Sequence, residues 1–244
     1  MKPVERSWWA AWLVVCVWCS MALPAGAADY KLTTLEWAPY TGADLQGMGF
    51  VTATIVDAMK SAGVSAEVQF FPWSRAVRLV DTDPAYMGFF PAYYSRERAR
   101  RYLYSDPVGR STVVFLERVD APVKWAAYDD LLGKRLGVVR GFVNTEELDA
   151  RIANKTLVAE EVFDDRSNIL KLAAGRLDLV VIDSQVYQHL VRTDPEVTRV
   201  APQLQANPKV LEVKNLYVCF QRTPAGALAQ RALNTGLRKV RPVL

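Results

Sequence analysis

Two residue types that carry much of enzyme chemistry are scarce in this sequence. His189 is the only histidine, and it lies in a helical pattern without Cys or acidic neighbours at metal-ligand spacing. A zinc site or a Ser-His-Asp triad is therefore not indicated. Of the three cysteines, Cys219 lies in an apolar run, residues 216–220, that predicts a buried strand with an inert thiol. We expect no metal and no cofactor.

The side chains best placed to bind a ligand lie in loops that follow predicted strands. In open α/β sheets, small ligands sit beyond the carboxyl ends of the strands, where the N–H groups of helix starts point outward. Charged, aromatic or amide side chains occupy five such positions, namely residues 36–40, 71–75, 91–98, 141–144 and 183. We expect a binding site where these loops meet.

The elements that would position these loops alternate between strand and helix. The strand-like segments are residues 30–35, 66–70, 85–90, 135–139, 157–162 and 177–182, and the helical segments are 51–62, 73–80, 145–152, 167–174, 184–191 and 224–237. This alternation forms two blocks and predicts parallel sheets covered by helices. Two β-branched and aromatic-rich segments, 112–116 and 210–220, would let the chain cross to a second lobe and return.

The predicted fold class is therefore α/β, with two lobes, mostly parallel sheets flanked by helices, and two crossover strands. We expect lobe 1 to comprise residues 28–111 and 214–244 and lobe 2 to comprise residues 112–213. The crossover segments would lie near residues 112–117 and 210–220.

Composition agrees with a globular chain that is not built to bind nucleic acid. The sequence has 244 residues, 51% of them hydrophobic and 23% charged, which is ordinary for a soluble domain. The formal charge of +4 is small for this length, and no Lys/Arg block stands out beyond residues 96–101. Nucleic acid is therefore not an expected partner.

Residues 1–27 have the pattern of a secretory signal. Lys2 and Arg6 precede an almost uncharged apolar run, residues 8–23, and residues 25–27 supply the small-x-small cleavage pattern. The alternative is an uncleaved anchor helix, because the apolar run approaches the length that spans a bilayer. Cleavage would release the mature chain to the periplasm.

The loop sequences resemble a known family over nearly the whole predicted mature chain. The segments that carry the resemblance, in chain order, are Glu36-Trp37-Ala38-Pro39-Tyr40, Phe71-Pro72-Trp73-Ser74-Arg75-Ala76, Arg96-Glu97-Arg98-Ala99, Tyr104-Ser105-Asp106-Pro107, Gly137-Val138-Val139-Arg140-Gly141 and Gly175-Arg176-Leu177-Asp178 leading to Asp183. This ordered set resembles the extracellular solute-binding proteins of family 3, the polar amino-acid receptors of ABC importers. The resemblance implies a two-lobed, type II periplasmic binding protein-like fold.

The resemblance also implies roles for individual residues. Arg98 matches the arginine that binds the ligand's α-carboxylate, and Asp183 matches the acid that receives its α-ammonium. Trp73 and Trp37 match aromatic side chains that line the pocket. The turn at residues 141–144 matches a turn of the second lobe whose backbone N–H groups help to hold the carboxylate.

Four further residues are candidates, and two of them have open alternatives. Tyr40 and Phe142 indicate an aromatic-lined pocket. Glu36 is either a ligand acid or a surface charge. Asn144 is either a specificity residue or the first residue of an Asn-x-x-Glu capping box that ends at Glu147.

The family pattern is not followed everywhere. Phe90, Pro91 and Tyr93 stand where amino-acid receptors present Ser and Thr hydroxyls, and Val143 or Asn144 stands at the usual second-lobe threonine. These departures leave the identity of the ligand open.

The function that the resemblance implies is that of a monomeric, non-enzymatic periplasmic receptor. It would capture a small polar ligand, an amino acid or a related zwitterion, and deliver it to an ABC permease in the inner membrane. One alternative is an enzyme similar to cyclohexadienyl dehydratases, with Glu36 or Asp183 as the acid. Another is a sensory or accessory binding protein tethered to the membrane by an uncleaved leader.

Overall fold

The computed structural model describes residues 29–240. The predicted signal, residues 1–27, lies outside the described residues, as do residues 241–244. The described strands are β1 (Asp29–Thr34), β2 (Ser65–Phe70), β3 (Tyr86–Ala92), β4 (Tyr102–Tyr104), β5 (Gly109–Arg118), β6 (Arg135–Val139), β7 (Val158–Val162), β8 (Leu179–Asp183) and β9 (Leu204–Gln221). The α-helices are α1 (Phe50–Ser61), α2 (Trp73–Thr82), α3 (Arg96–Arg101), α4 (Glu146–Ala153), α5 (Asp165–Ala173), α6 (Ser184–Thr193), α7 (Pro195–Val200) and α8 (Pro224–Leu237).

The strands form two groups joined by long antiparallel strands. In the first group β1 lies between β2 and β3 and runs parallel to both. In the second group β6 lies between β7 and β8, again parallel to both. The 18-residue strand β9 pairs with β3 and β4 near its end and with β5 along the rest of its length, and β5 also pairs with β8. The strands β5 and β9 therefore cross between the two lobes.

The helices form where the sequence pattern predicts an apolar face. In α1 the buried side chains include Val51, Ile55, Ala58 and Met59, and the chain turns after the helix at Gly63, whose φ is +80°. Only glycine adopts this left-handed conformation without strain, so the stop signal in the sequence has a direct steric cause. Helix α8 packs against α1.

The cap of α4 differs from the sequence prediction. Its N-cap is Thr145, whose hydroxyl accepts a hydrogen bond from the Leu148 N–H at 3.1 Å. Asn144, the predicted first residue of a capping box, instead donates from its side-chain amide and its backbone N–H to the carboxylate of Asp149. The capping-box prediction is therefore wrong by one residue, because two adjacent residues both carry side chains able to cap.

The contact between α1 and α8 depends on a glycine. A Cβ atom at Gly236 would lie 1.8 Å from the carbonyl oxygen of Ala58, which is backbone and cannot rotate away.

No helix within residues 29–240 has the length and apolar character needed to cross a bilayer.

We expect Gly236→Ala to destabilise the protein by about 3 kcal/mol or more, as severe core overpacking does. The sign of the change in stability is informative, because replacing glycine by alanine inside a helix normally stabilises the helix by about 0.5–1 kcal/mol. Urea denaturation followed by circular dichroism measures the change. A neutral or stabilising effect would contradict the close approach of the two helices.

Candidate functional site

The loops that the sequence predicts to form the binding site meet where the two lobes face each other. Lobe 1 contributes the loop after β1, with Trp37 and Tyr40, the end of β3 with Tyr93, and Arg98 on α3. Lobe 2 contributes the turn after β6 and the starts of α5 and α6. Side chains from both lobes line the same small cavities, so the strand ends of the two sheets share one cleft.

Arg98 spans the cleft. Its guanidinium donates a hydrogen bond to the carbonyl oxygen of Gly141 in the second lobe at 2.8 Å, and it stacks 5.3 Å from the ring centroid of Trp73. The Trp73 indole N–H donates to the same carbonyl at 2.9 Å. The helix that presents Arg98 is capped by the Ser95 hydroxyl, which accepts from the Arg98 backbone N–H.

Aromatic rings form the walls of the cleft. Trp37 stacks on Tyr40 at 4.5 Å between centroids and meets the edges of Tyr93 and Phe142, both at 6.1 Å. Phe142 also contacts Trp73 edge to face. Trp37, Tyr93 and Phe142 border both the cavity lined by Arg98 and the cavity lined by Asp183, each of about 20 Å³. The structure therefore places Arg98 and Asp183 around one aromatic cluster.

Asp183 is held by a buried hydrogen-bond network. One carboxylate oxygen accepts from the hydroxyls of Tyr40, at 2.9 Å, and Ser111. The other accepts from the backbone N–H groups of Gln185 and Val186, so Asp183 is also the N-cap of α6. Burial raises the pKa of the Asp183 carboxyl, and the four hydrogen bonds oppose that rise. Ser111 is hydrogen-bonded in turn to the Tyr93 hydroxyl.

Asp165 is a second buried carboxylate in the cleft. It lies at the first position of α5 and is only 7% exposed. The Trp37 indole N–H, from the other lobe, donates to its Oδ2 at 3.1 Å. Burial raises the pKa of Asp165 to about 7, partly offset by the Trp37 hydrogen bond and reinforced by the charges of Asp183 and Asp164.

The remaining candidates differ in how they reach the cleft. Glu36 is exposed at its rim, and its carboxylate accepts from the Ala43 N–H within its own loop. It lines a cavity of about 120 Å³ together with Trp37, Phe142 and Asp165. Asn144 lines the Asp183 cavity and holds Asp149. Tyr40 is fully buried beneath Trp37 and reaches the site through its hydroxyl alone.

Cys219 is buried in β9 and does not reach the cleft cavities. Burial raises the pKa of its thiol to about 12, so it remains protonated at neutral pH. Within residues 29–240, no cluster of three or more His, Cys, Asp or Glu side chains is arranged to hold a metal ion.

We expect Tyr40→Phe to lower the free energy of unfolding by about 1–3 kcal/mol, because the buried Asp183 carboxyl loses a hydroxyl donor while the ring stacking is kept. Urea denaturation at pH 7 measures the loss. Tyr94→Phe is the matched control, since the Tyr94 side chain is 54% exposed, and it should have almost no effect. Equal effects of the two substitutions would contradict a stabilising role for the Asp183 network.

Comparisons with known proteins bear on the fold. No family model matches the sequence, and no curated protein matches it. Among solved structures, holo ArgBP from T. maritima aligns over 87% of this chain and 90% of its own, with 18% identity and a TM-score of 0.69. A histidine kinase sensor domain with similarity to periplasmic binding proteins aligns over 87% of this chain and 91% of its own, with 19% identity and a TM-score of 0.73. The chain has the fold of the periplasmic binding proteins.

The fold class predicted from the sequence, α/β with two lobes and two crossover strands, is thereby confirmed. A third similar structure is the GluR0 ligand-binding core from Nostoc punctiforme in complex with L-glutamate. It aligns over 86% of this chain and 93% of its own, with 15% identity and a TM-score of 0.66. At these identities, the similarity establishes the architecture of a periplasmic binding protein and leaves the ligand of this chain undetermined.

Sequence reasoning missed three polar residues of the cleft, namely Ser111, Tyr93 as a hydrogen-bonding group, and Asp165. A signal for Asp165 is present in the sequence. It follows a parallel strand and begins a helix, the same rule that selected the other loops. The five loops predicted to meet do not include the end of β7. For Ser111 no local signal exists, because its partner Asp183 is 72 residues away.

Proposed function

We propose that this protein is a solute-binding protein that holds a small ligand carrying a carboxylate, an amino acid or a related zwitterion, between its two lobes. The observation that carries the proposal is the placement of the Arg98 guanidinium and two buried carboxylates around one aromatic cluster at the lobe interface. Such a site offers both charges that a zwitterion needs. The two carboxylates are buried and Arg98 is half-buried, and charge-assisted hydrogen bonds are stronger in such a setting than in water.

Arg98 is suited to bind the carboxylate of this ligand. The Gly141 carbonyl is the only hydrogen-bond acceptor that its side chain has among the described residues, and a guanidinium carries five N–H donors. The remaining donors can form a bidentate pair with a carboxylate. The guanidinium lies over the Trp73 ring, which adds a cation–π contact on one side of it. The family resemblance gives Arg98 the same role.

Lobe closure is the conformational step that we propose. Residues 28–111 and 214–244 would move against residues 112–213, with β5 and β9 as the hinge. The hydrogen bonds from Arg98 and Trp73 to Gly141, from Trp37 to Asp165, and from Tyr40 to Asp183 all join the lobes. A ligand that bridges the same groups would favour the closed state by its differential affinity for it.

The similar structures support an amino acid as the ligand class. One is described as holo ArgBP, and another contains L-glutamate. We further propose that the signal at residues 1–27 is cleaved, that the mature monomer acts in the periplasm, and that the closed form is recognised by an ABC permease. Glu36 and Asp183 are poor candidates for the acid of a dehydratase, because Glu36 is exposed and Asp183 accepts four hydrogen bonds.

A ligand screen tests the proposed function. We expect at least one amino acid, with L-arginine and L-glutamate tested first, to raise the melting temperature and to bind in calorimetry. A ligand present at 100 times its Kd should add about 2.7 kcal/mol to the stability. The absence of a shift with any amino acid, amine or small carboxylic acid at millimolar concentration would refute the proposal.

A tethered sensory protein is the second candidate function, since one similar structure is a histidine kinase sensor domain. N-terminal sequencing of the exported protein separates the two candidates. A mature N-terminus close to residue 28 supports the soluble receptor, whereas an intact leader supports the tethered form.

A further inference from the structure

The Asp183 carboxylate is already saturated by the protein itself. A carboxylate has about four acceptor positions, and Asp183 fills them with the hydroxyls of Tyr40 and Ser111 and the N–H groups of Gln185 and Val186. Two of these donors belong to the start of its own helix and cannot leave without unwinding it. A ligand ammonium could bind Asp183 only by displacing a buried hydroxyl.

Asp165 has acceptor capacity to spare. Within residues 29–240, the Trp37 indole is the one donor to its carboxylate, and this bond uses Oδ2. Asp165 is buried, with only 7% of its surface exposed. It lines both the Asp183 cavity and the neighbouring cavity of about 120 Å³. It is therefore a buried acceptor that faces space large enough for a ligand group.

Within the part of the chain that the structure describes, no basic side chain pairs with Asp165. From its own segment, the Asp164 carboxylate caps α5, and the Arg166 guanidinium is paired with Asp194 and Glu196. From the loop after β1, Glu36 lines the same cavity, and Asp183 faces it from β8. Arg166 also lines the cavity of about 120 Å³, but its charge is offset by Asp194 and Glu196. The charged groups that face Asp165 from other elements are acidic, so the cavity favours a cation.

We propose that Asp165, rather than Asp183, receives the positively charged group of the ligand, an ammonium or a guanidinium. This inference rests on the proposed function and specifies its ligand class, which is a compound that carries both a carboxylate and a cationic group. Arg98 holds the first and Asp165 the second, with Trp37 and Phe142 between them. Asp183 then acts as a structural residue that joins β8 and α6 to Tyr40 and Ser111.

Three probe compounds test the carboxylate and the cationic group of the ligand separately. L-arginine carries both groups, agmatine lacks the carboxylate, and glutarate lacks the cation. Each is titrated by calorimetry into the full mature protein and into Asp165→Asn, which keeps an acceptor for the Trp37 indole but removes the charge. Asp164→Asn is the matched control, because it removes the neighbouring charge and retains an N-cap residue.

We expect Asp165→Asn to weaken the binding of L-arginine and agmatine by about 10-fold or more and to leave glutarate unchanged or tighter. Asp164→Asn should change none of the three by more than about twofold. The affinity of the wild-type protein for L-arginine should fall about tenfold from pH 8 to pH 6 as the Asp165 carboxylate is protonated. This pH dependence should vanish in Asp165→Asn and persist in Asp183→Asn.

The same titrations distinguish failure of the proposed role of Asp165 from failure of the proposed function. If L-arginine or agmatine binds Asp165→Asn as tightly as wild type, or if glutarate alone binds the wild-type protein, the role of Asp165 is overturned and the proposed function stands. If none of the three probes and no amino acid binds the wild-type protein, both are overturned. A purely structural role for Asp165 would change the melting temperature but not the contrast between agmatine and glutarate.

Discussion

Asp165→Asn should raise the free energy of unfolding of the ligand-free protein. The difference in this free energy between the variant and the wild type should grow by about 3 kcal/mol between pH 5 and pH 8. An aspartate in the unfolded chain ionises near pH 3.9, whereas burial holds the pKa of Asp165 in the folded protein at about 7. Between these values the unfolded chain gives up a proton that the folded protein retains. The wild-type protein therefore loses stability as pH rises through this window.

The asparagine variant lacks this titration. At pH 8 the wild-type protein bears the full loss of stability from ionising the buried Asp165 carboxyl, which is about 4 kcal/mol for a pKa raised by about three units. Any constant difference between amide and carboxyl groups cancels in the comparison of two pH values. Urea denaturation of both proteins at pH 5 and pH 8 gives the four free energies that are needed.

Asp164→Asn again provides the control, since Asp164 is exposed and the substitution should leave the pH dependence of wild type in place. Parallel pH profiles for wild type and Asp165→Asn would show that the Asp165 carboxyl is solvated rather than buried. The expected result also has a functional meaning. A buried carboxylate that costs stability and pairs with no cation among the described residues is typical of a residue kept for binding.

The sequence predicted the elements well where the apolar pattern is periodic. The stripe of α1, the β6 strand and the Thr223-Pro224 start of α8 all lie within about one residue of their predicted positions. Helix α3, residues 96–101, was missed because its sequence Arg-Glu-Arg-Ala-Arg-Arg has no apolar stripe. It is held instead by the Ser95 cap and by contacts such as that of Arg101 with Asp81.

The site was harder to predict than the fold because its partners are distant in the chain. The resemblance selected Arg98, Trp37, Trp73 and Asp183, and the structure places all four around one cleft. The sequence could not show that Asp183 is saturated, because its hydroxyl donors lie 143 and 72 residues away. Nor could it show which carboxylate of the Asp164-Asp165 pair caps the helix and which faces the cleft.

Arg98→Ala should abolish high-affinity binding of any carboxylate ligand, with a loss of about 10²–10³-fold. The substitution leaves a desolvated carboxylate without its charged partner, which costs about 3–5 kcal/mol. It also removes the hydrogen bond to the Gly141 carbonyl that joins the lobes. Calorimetry with L-arginine and glutarate measures the loss, and agmatine, which lacks a carboxylate, should lose much less.

Two further variants separate the charge of Arg98 from its geometry. Arg98→Lys keeps the charge but not the planar, bidentate donors, so it should recover only part of the affinity. Arg100→Ala removes an exposed arginine from the same helix and should bind as wild type does. If Arg98→Ala and Arg100→Ala lose glutarate affinity equally, the effect is a general reduction of positive charge and Arg98 does not contact the carboxylate. A loss confined to Arg98 and partly restored by lysine requires a directed pair, because long-range charge would not distinguish positions two residues apart on one helix.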